Sequence, residues 1–422
     1  MPMSKDFEAR LFPILPDVIA HFGTPFHIYD ATGILEAGEQ VKNVVDQEFL
    51  AVKANNNPAI LKLMLQMGFG FDCSSEGELL QVRSLGAKPG QIMFTSNNTS
   101  RREFEVAVAD GGCILNLDDI NLIDDVPGKF PDLICFRYNP GRRRTGNEII
   151  GDPFYSKYGV PHEQIVLAYQ LAIKRGATRF GLHTMICSNE RNYSYMVQTV
   201  KMLLEVVEMV QKELGFRFEF INQGGGWGIP YRPEDQPIYL ELMAAEMSQL
   251  RSDFRAKYNY APALYLESGR FMTGPHGVLV ATCINEKNGY QEIRGLDTSA
   301  ISSMMRPPMY HAEGGGYHHI SVFGKEDALP RQLVQVVGSA CENTDRFGWD
   351  RLLYLHKGNI VIIHDTGAHC RVMGNLYNFR LPPQELMLLP DGRVELICPA
   401  QTIEEYLRRF KFEPQVFQPV RA

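Results

Sequence analysis

The sequence predicts an α/β fold, a (β/α)8 TIM-like barrel joined to a C-terminal all-β domain of sandwich or barrel-like form. Three observations lead there. Between about residues 45 and 290, short β-branched or aromatic runs alternate with longer helical patterns, the rhythm of strands and crossover helices around a parallel sheet. Eight such runs can be counted, the number that closes a barrel. After residue 275 the texture changes to short alternating strands beside turn pairs such as Asn288-Gly289 and Asp391-Gly392. A chain of 422 residues with 45% hydrophobic and 22% charged residues has ample material for two or three domains, which excludes a single small module and a disordered chain.

Taken in order, residues 1–44 include Pro25-Phe26-His27-Ile28-Tyr29, a strand-like run before any barrel unit. This N-terminal segment is expected to pair with the C-terminal β domain. The barrel is assigned to residues 45–275, with strands at Phe49–Val52, Gly70–Cys73, Ile92–Thr95, Cys113–Asn116, Leu133–Tyr138, Arg179–His183, Arg217–Asn222 and Leu264–Glu267. Helical signals lie between them. Asn57-Pro58 followed by Ile60, Leu61, Leu63, Met64 and Met67, then Gly68, combines an N-cap, a first-turn proline, an apolar face and a terminating glycine. Tyr195–Leu214 repeats an apolar face at Met196, Val200, Leu203, Val207 and Val210. Residues 276–422 form the β domain, with strands at Val278–Ile284, His319–Phe323, Leu333–Val337, Ile360–Ile363 and Leu386–Leu388.

The charge balance, 42 basic against 49 acidic residues for a net −7, speaks against a nucleic-acid partner. The one dense basic run, Arg142-Arg143-Arg144, reads as a solvated loop. No run of eighteen apolar residues exists and the first residues are too acidic for a signal peptide, so no membrane association is expected and the location reads as cytoplasmic. The eight cysteines show no C-x-x-C pair and no zinc spacing; they are expected to be reduced thiols, and no metal site is expected.

In a barrel of this kind the chemistry sits at the carboxyl ends of the strands, because the following loops share one concave face. Polar groups recur at those ends: Lys53 after the first strand, Asp72-Cys73-Ser74-Ser75-Glu76 at the second, Arg137 in the fifth, His183 at the sixth, Gly224-Gly225-Gly226 after the seventh and Glu267-Ser268-Gly269-Arg270 after the eighth. Lys53 reads either as a snorkelling surface lysine or as a lysine at the barrel mouth, where desolvation lowers its proton affinity and favours a Schiff base with an aldehyde. The glycine triplet reads either as a flexible turn or as bare backbone for an anionic phosphate. His183 is either a satisfied core residue or a stacking group, and Glu267 with Arg270 either an ordinary ion pair or a holder of a ring nitrogen and a phosphate. Each is weak alone, and their order is the stronger signal.

That order resembles the barrel-type (fold type III) pyridoxal phosphate decarboxylases, and among them the diaminopimelate decarboxylases. Ala51-Val52-Lys53-Ala54-Asn55 is similar to the cofactor-lysine motif, Phe71 to Leu79 to the segment after it, and Glu267-Ser268-Gly269-Arg270 to Glu-Pro-Gly-Arg. Met305-Arg306-Pro307-Pro308-Met309-Tyr310, Cys341-Glu342-Asn343-Thr344-Asp345 and Tyr377-Asn378 resemble substrate-binding elements of the C-terminal half. The resemblance spans roughly residues 25 to 405 and implies a fold of the alanine racemase/ornithine decarboxylase type with pyridoxal 5'-phosphate as cofactor.

It further implies that Lys53 holds the cofactor through a Schiff base with Asp72 nearby, that His183 stacks on the ring, and that Glu267 bonds the ring nitrogen. Gly224, Gly225 and Gly226 would cradle the phosphate with Ser188 and Tyr377, and Arg270 would bind phosphate or substrate carboxylate. Arg306 and Tyr310 would grip the carboxylate at the far end of the substrate, Glu342 would receive its distal ammonium, and Tyr377 would also touch substrate. Cys341 would donate a proton to the α-carbon from the neighbouring subunit, so a homodimer with sites at its interface is implied. The implied reaction is meso-2,6-diaminopimelate to L-lysine and carbon dioxide, a step of lysine biosynthesis. The alternatives are decarboxylation of ornithine, lysine or a carboxynorspermidine-like amino acid, a racemase, or a catalytically inactive regulatory homologue. Four positions depart from the pattern: His-x-Gly-Ser appears as His183 to Asn189, Gly-Ala-Tyr as Gly367-Ala368-His369, the proline of Glu-Pro-Gly-Arg as Ser268, and Glu313-Gly314-Gly315-Gly316 resembles an inserted loop.

Overall fold

The computed structural model describes residues 3–147, 149–310 and 316–418. Glu313, Gly314 and Gly315 of the inserted loop lie outside the described residues. The eight barrel strands are Gln47–Ala51, Gly70–Cys73, Ile92–Phe94, Ile114–Leu117, Leu133–Asn139, Arg179–His183, Phe220–Asn222 and Ala263–Leu266. They run parallel in sequence order, and the eighth closes on the first with Tyr265 opposite Gln47 and Leu266 opposite Glu48. The inside of the barrel is filled by Phe49, Met93, Ile114, Cys135 and Phe220, the Phe220 ring stacked on Tyr265 at 4.4 Å. A plugged interior leaves only the carboxyl-end face open to a ligand.

The crossover helices form where capping and apolar spacing agree. In the helix Pro58–Gln66, Asn57 accepts the Ala59 N–H at 3.0 Å while Ile60, Leu61 and Met64 pack inward. Tyr193–Leu214 begins at Asn192, which caps Ser194, and ends at Gly215 in the left-handed region. No helix among the described residues is long and apolar enough to cross a membrane.

The second domain is a mixed sheet. Phe26–Asp30 lies at its middle, antiparallel to Gly277–Asn288 on one side and parallel to Gln384–Leu388 on the other. His27, fully buried in that strand, accepts the Thr366 hydroxyl on Nδ1 at 3.2 Å and donates Nε2–H to the Ser303 carbonyl at 3.0 Å. Three strands of this domain escaped the sequence reading, Glu292–Leu296, Arg346–Leu353 and Val394–Cys398. Each mixes charged residues into the run, and each earns its place by pairing with a neighbour rather than by its own apolar pattern. Of the basic run, Arg142 and Arg143 are exposed, but Arg144 is half-buried over the Tyr195 ring and donates to the Tyr195 carbonyl at 2.6 Å.

Candidate active site

Parallel closure brings Lys53, Asp72, His183 and Glu267 to one rim. The Lys53 ammonium lies 2.7 Å from Asp72 Oδ2, its side chain about half exposed at 49% while Asp72 is fully buried. His183 Nε2 is 3.0 Å from Glu267 Oε2. The other oxygen of Glu267 accepts from Asn222 Nδ2 at 2.8 Å, and Asn222 Oδ1 accepts the Gly224 N–H at 2.8 Å, so one buried amide ties the carboxylate to the glycine turn. Burial raises Glu267, but His183 and Lys53 outweigh it and hold the carboxyl below its usual range, an anion at neutral pH. Asp72 goes the other way, pushed up by burial and by Glu267 against the pull of Lys53.

Lys53 corrects an expectation. Burial does lower its proton affinity, yet the carboxylates of Asp72 and Glu267 outweigh burial and leave it raised. The lysine at this rim is held as an ammonium by its two acids.

Lys53 and Glu267 line a cavity of about 470 Å³ together with Gly225, Gly226, Arg270 and Arg306, and Asp72 and His183 back them as hydrogen-bond partners. The glycine triplet has no room for side chains. A Cβ at Gly224 would stand 2.3 Å from the Thr184 carbonyl oxygen, one at Gly225 2.3 Å from that of Glu267, and one at Gly226 2.7 Å from Cys187 Sγ. Gly224 and Gly226 also adopt φ of +72° and +101°. A bare backbone turn, an amine at the strand end and an anionic carboxylate across the cavity form a donor set that fits a phosphorylated pyridine aldehyde.

Two guanidinium groups line the outer part. Arg270 donates to the Tyr231 hydroxyl and, at 3.3 Å, to Ser188 Oγ; Arg306 lies 4.8 Å from the Tyr231 ring centre and 5.6 Å from that of Tyr310. Arg306 is buried, and its Nε approaches His318 Nε2 at 3.4 Å. Desolvation, with Arg270 adding to it, lowers its proton affinity from the ordinary value. Gly316 packs on the carbonyls of Arg306 and Pro307.

Cys341, Glu342 and Tyr377 stand apart from this group. Cys341 and Glu342 are exposed, Tyr377 is 49% exposed, and none lines the cavity of its own chain. They are neighbours of each other, since the Cys341 N–H donates to Asn378 Oδ1 at 2.6 Å.

Three site residues, Asn222, Tyr231 and Met185, were missed by the sequence reading, whereas His369 was expected as an alternative to Tyr377 for the phosphate contact. Asn222 ends the seventh strand and Tyr231 follows the glycine triplet by five residues, a position that could have flagged both. His369 lines the cavity in place of a tyrosine, kept well below the usual histidine range by burial and by Arg270 and Arg306. Met185, within the altered His-x-Gly-Ser segment, accepts the Gly225 N–H on its sulfur at 3.2 Å.

Residues 32–274 match the family model described as pyridoxal-dependent decarboxylase, pyridoxal binding domain. The chain is 41% identical over 428 residues to Protein TabA of Pseudomonas amygdali pv. tabaci, covering 100% of each. It is 30% identical over 399 residues to the diaminopimelate decarboxylase of Methanothermobacter thermautotrophicus, covering 92% of this chain and 91% of that one. The crystal structure of diaminopimelate decarboxylase from M. jannaschii in complex with L-lysine superposes with a TM-score of 0.82 at 26% identity, covering 95% and 94% of the two chains. Barrel, donor set and relatives agree, and the chain belongs to the fold type III pyridoxal-dependent decarboxylases, carboxy-lyases that use pyridoxal 5'-phosphate.

Proposed function

We propose that this enzyme decarboxylates meso-2,6-diaminopimelate to L-lysine, as a homodimer whose sites lie at the subunit interface. The observation that carries the reading is the pair of guanidinium groups, Arg270 and Arg306, both against Tyr231 in a cavity that also holds Lys53 and Glu267. A buried arginine facing a cavity suits a carboxylate, because its fork makes two parallel charge-assisted bonds. Arg306 with Tyr310 takes the distal carboxylate, and Arg270 takes an anion nearer the glycine turn.

Pyridoxal phosphate, when bound, supplies an electron sink for the bond that breaks. Lys53 Nζ would hold its aldehyde carbon, Glu267 its ring nitrogen, and Gly224 to Gly226 with Ser188 its phosphate, while His183 would face the ring. The chain's own work is to orient the substrate α-carboxylate, exclude water around it and return a proton to the α-carbon. Cys341 of the partner subunit is the proton donor in this reading, with Glu342 of the partner subunit receiving the distal ammonium. Its support is the exposed, cavity-remote position of both residues beside Asn378.

Carbon dioxide release from a panel of diaminopimelate, ornithine, lysine and related amino acids tests the substrate. A wild type preferring ornithine or lysine would refute the distal-carboxylate reading. Two observations favour a second reading, an amino acid with a different far end: His369 replaces the motif tyrosine in the cavity, and the likeness to Protein TabA runs over both whole chains.

A further inference from the structure

Both cavity-facing groups of Glu267-Ser268-Gly269-Arg270 ride on one short turn, and that turn is tightly gripped. A Cβ at Gly269 would lie 2.2 Å from the Ala54 Cβ, and the Glu267 carbonyl already touches the space of Gly225. Beneath the turn, Glu48 of the first barrel strand stands in register with Leu266 and is completely buried. Its Oε1 accepts the Ser268 N–H at 2.8 Å. Its Oε2 has no hydrogen-bond partner among the described residues, and neither does the Ser268 hydroxyl.

A buried acid with one hydrogen bond is expensive to keep. Burial pushes the Glu48 carboxyl well above its usual range, and the charges of Glu267 and Asp72 add to this against the Ser268 N–H. The shift favours the neutral form of the acid, and the geometry makes Glu48 an acceptor for the Ser268 N–H rather than a counter-charge. Ser268 stands where the motif has proline, which has no N–H to give.

We propose that Glu48 is a positioning residue: by accepting the Ser268 N–H it fixes the turn that aims Glu267 and Arg270 at the cofactor and substrate, and the two residues work as one unit. Because interiors are close-packed, a turn gripped at Gly269 and Gly225 transmits a shift at residue 268 to both neighbours. Glu48→Leu leaves a buried N–H without an acceptor, and Ser268→Pro leaves a buried carboxyl without its donor. The double variant removes both and resembles the motif.

The inference rests on Glu267 and Arg270 facing the cofactor, as proposed above. Its test is a double-mutant cycle read as the affinity of the apoprotein for pyridoxal phosphate, by fluorescence quenching, with the pH midpoint of the bound cofactor's visible band as a second readout. Each single variant should weaken binding about tenfold or more and move the midpoint, while the double variant and Glu48→Gln, which keeps a neutral acceptor, should return to within about threefold of wild type. Multiplied losses in the double variant, or Glu48→Gln as damaging as Glu48→Leu, would overturn the proposal. Circular dichroism of each variant separates misfolding from a displaced turn, since only the double variant and Glu48→Gln must recover. Unchanged affinity in Glu267→Ala would instead overturn the placement of Glu267, on which the proposal stands.

Discussion

Gly225→Ala is the sharpest probe of the cofactor cradle, because its effect follows from distance alone. Gly225 has no positive φ, so alanine meets no backbone strain there. What it meets is the Glu267 carbonyl oxygen at 2.3 Å and the carbonyl carbon at 3.3 Å. Ordinary contact begins at 3.4 Å, so the loop or the Glu267 backbone must retreat by 3.4 − 2.3, or 1.1 Å. Overpacking of this kind costs about 1–3 kcal/mol, and a shift of that size also spoils a charged hydrogen bond worth about 1.5–3 kcal/mol. Even the smaller of these corresponds to a five- to tenfold loss, and the two together to roughly 10²–10⁴ in affinity for pyridoxal phosphate. Equilibrium dialysis of apoprotein against cofactor measures it. Gly90→Ala, with nothing within 4 Å of its Cβ, is the matched control. Binding by Gly225→Ala within about twofold of wild type would refute the cradle and the assignment of Glu267 behind it.

Further outcomes follow from other residues. Borohydride reduction followed by peptide mapping should place the cofactor on Lys53, and Lys53→Ala should lack that adduct; label on another lysine refutes the assignment. Mixing inactive Lys53→Ala with inactive Cys341→Ala should restore about a quarter of wild-type activity, since half the dimers hold one intact site of two; no recovery despite demonstrated subunit exchange would place each site within one chain. Arg306→Ala should lower diaminopimelate turnover by about 10⁴ and any lysine turnover far less, and equal losses would move the substrate away from a distal carboxylate. Burial, helped by the charge of Arg371 and offset by the Ser303 carbonyl, lowers His27 from 6.5 to about 3. Below pH 6.5 the unfolded chain then binds a proton that the folded chain refuses, so stability is lost as pH falls from about 6.5 towards 3, by about 2 kcal/mol at pH 5. His27→Gln should flatten this slope in thermal melts between pH 7 and 5, and an unchanged slope would refute it.

The order of the reactive residues was readable because a closed parallel barrel turns position along the chain into position in space. Every strand delivers its C-terminal residue to the same rim, so Lys53, His183, the glycine triplet and Glu267 converge whatever their separation. Strand positions within the barrel were readable for the same reason, being apolar runs buried on both faces. The strands Arg346–Leu353 and Val394–Cys398 were not, since charged residues are tolerated where one face meets water and the pairing partner supplies the stability. Nor could the chain show that Lys53 is held as an ammonium: that depends on Asp72 and Glu267, charges brought near only by closure. The same holds for Asn222 bridging Glu267 to Gly224, and for Glu48 meeting the Ser268 N–H, a contact across 220 positions. Side-chain type and period are local properties and survive in the sequence, whereas a buried polar group's partner is chosen by register and closure.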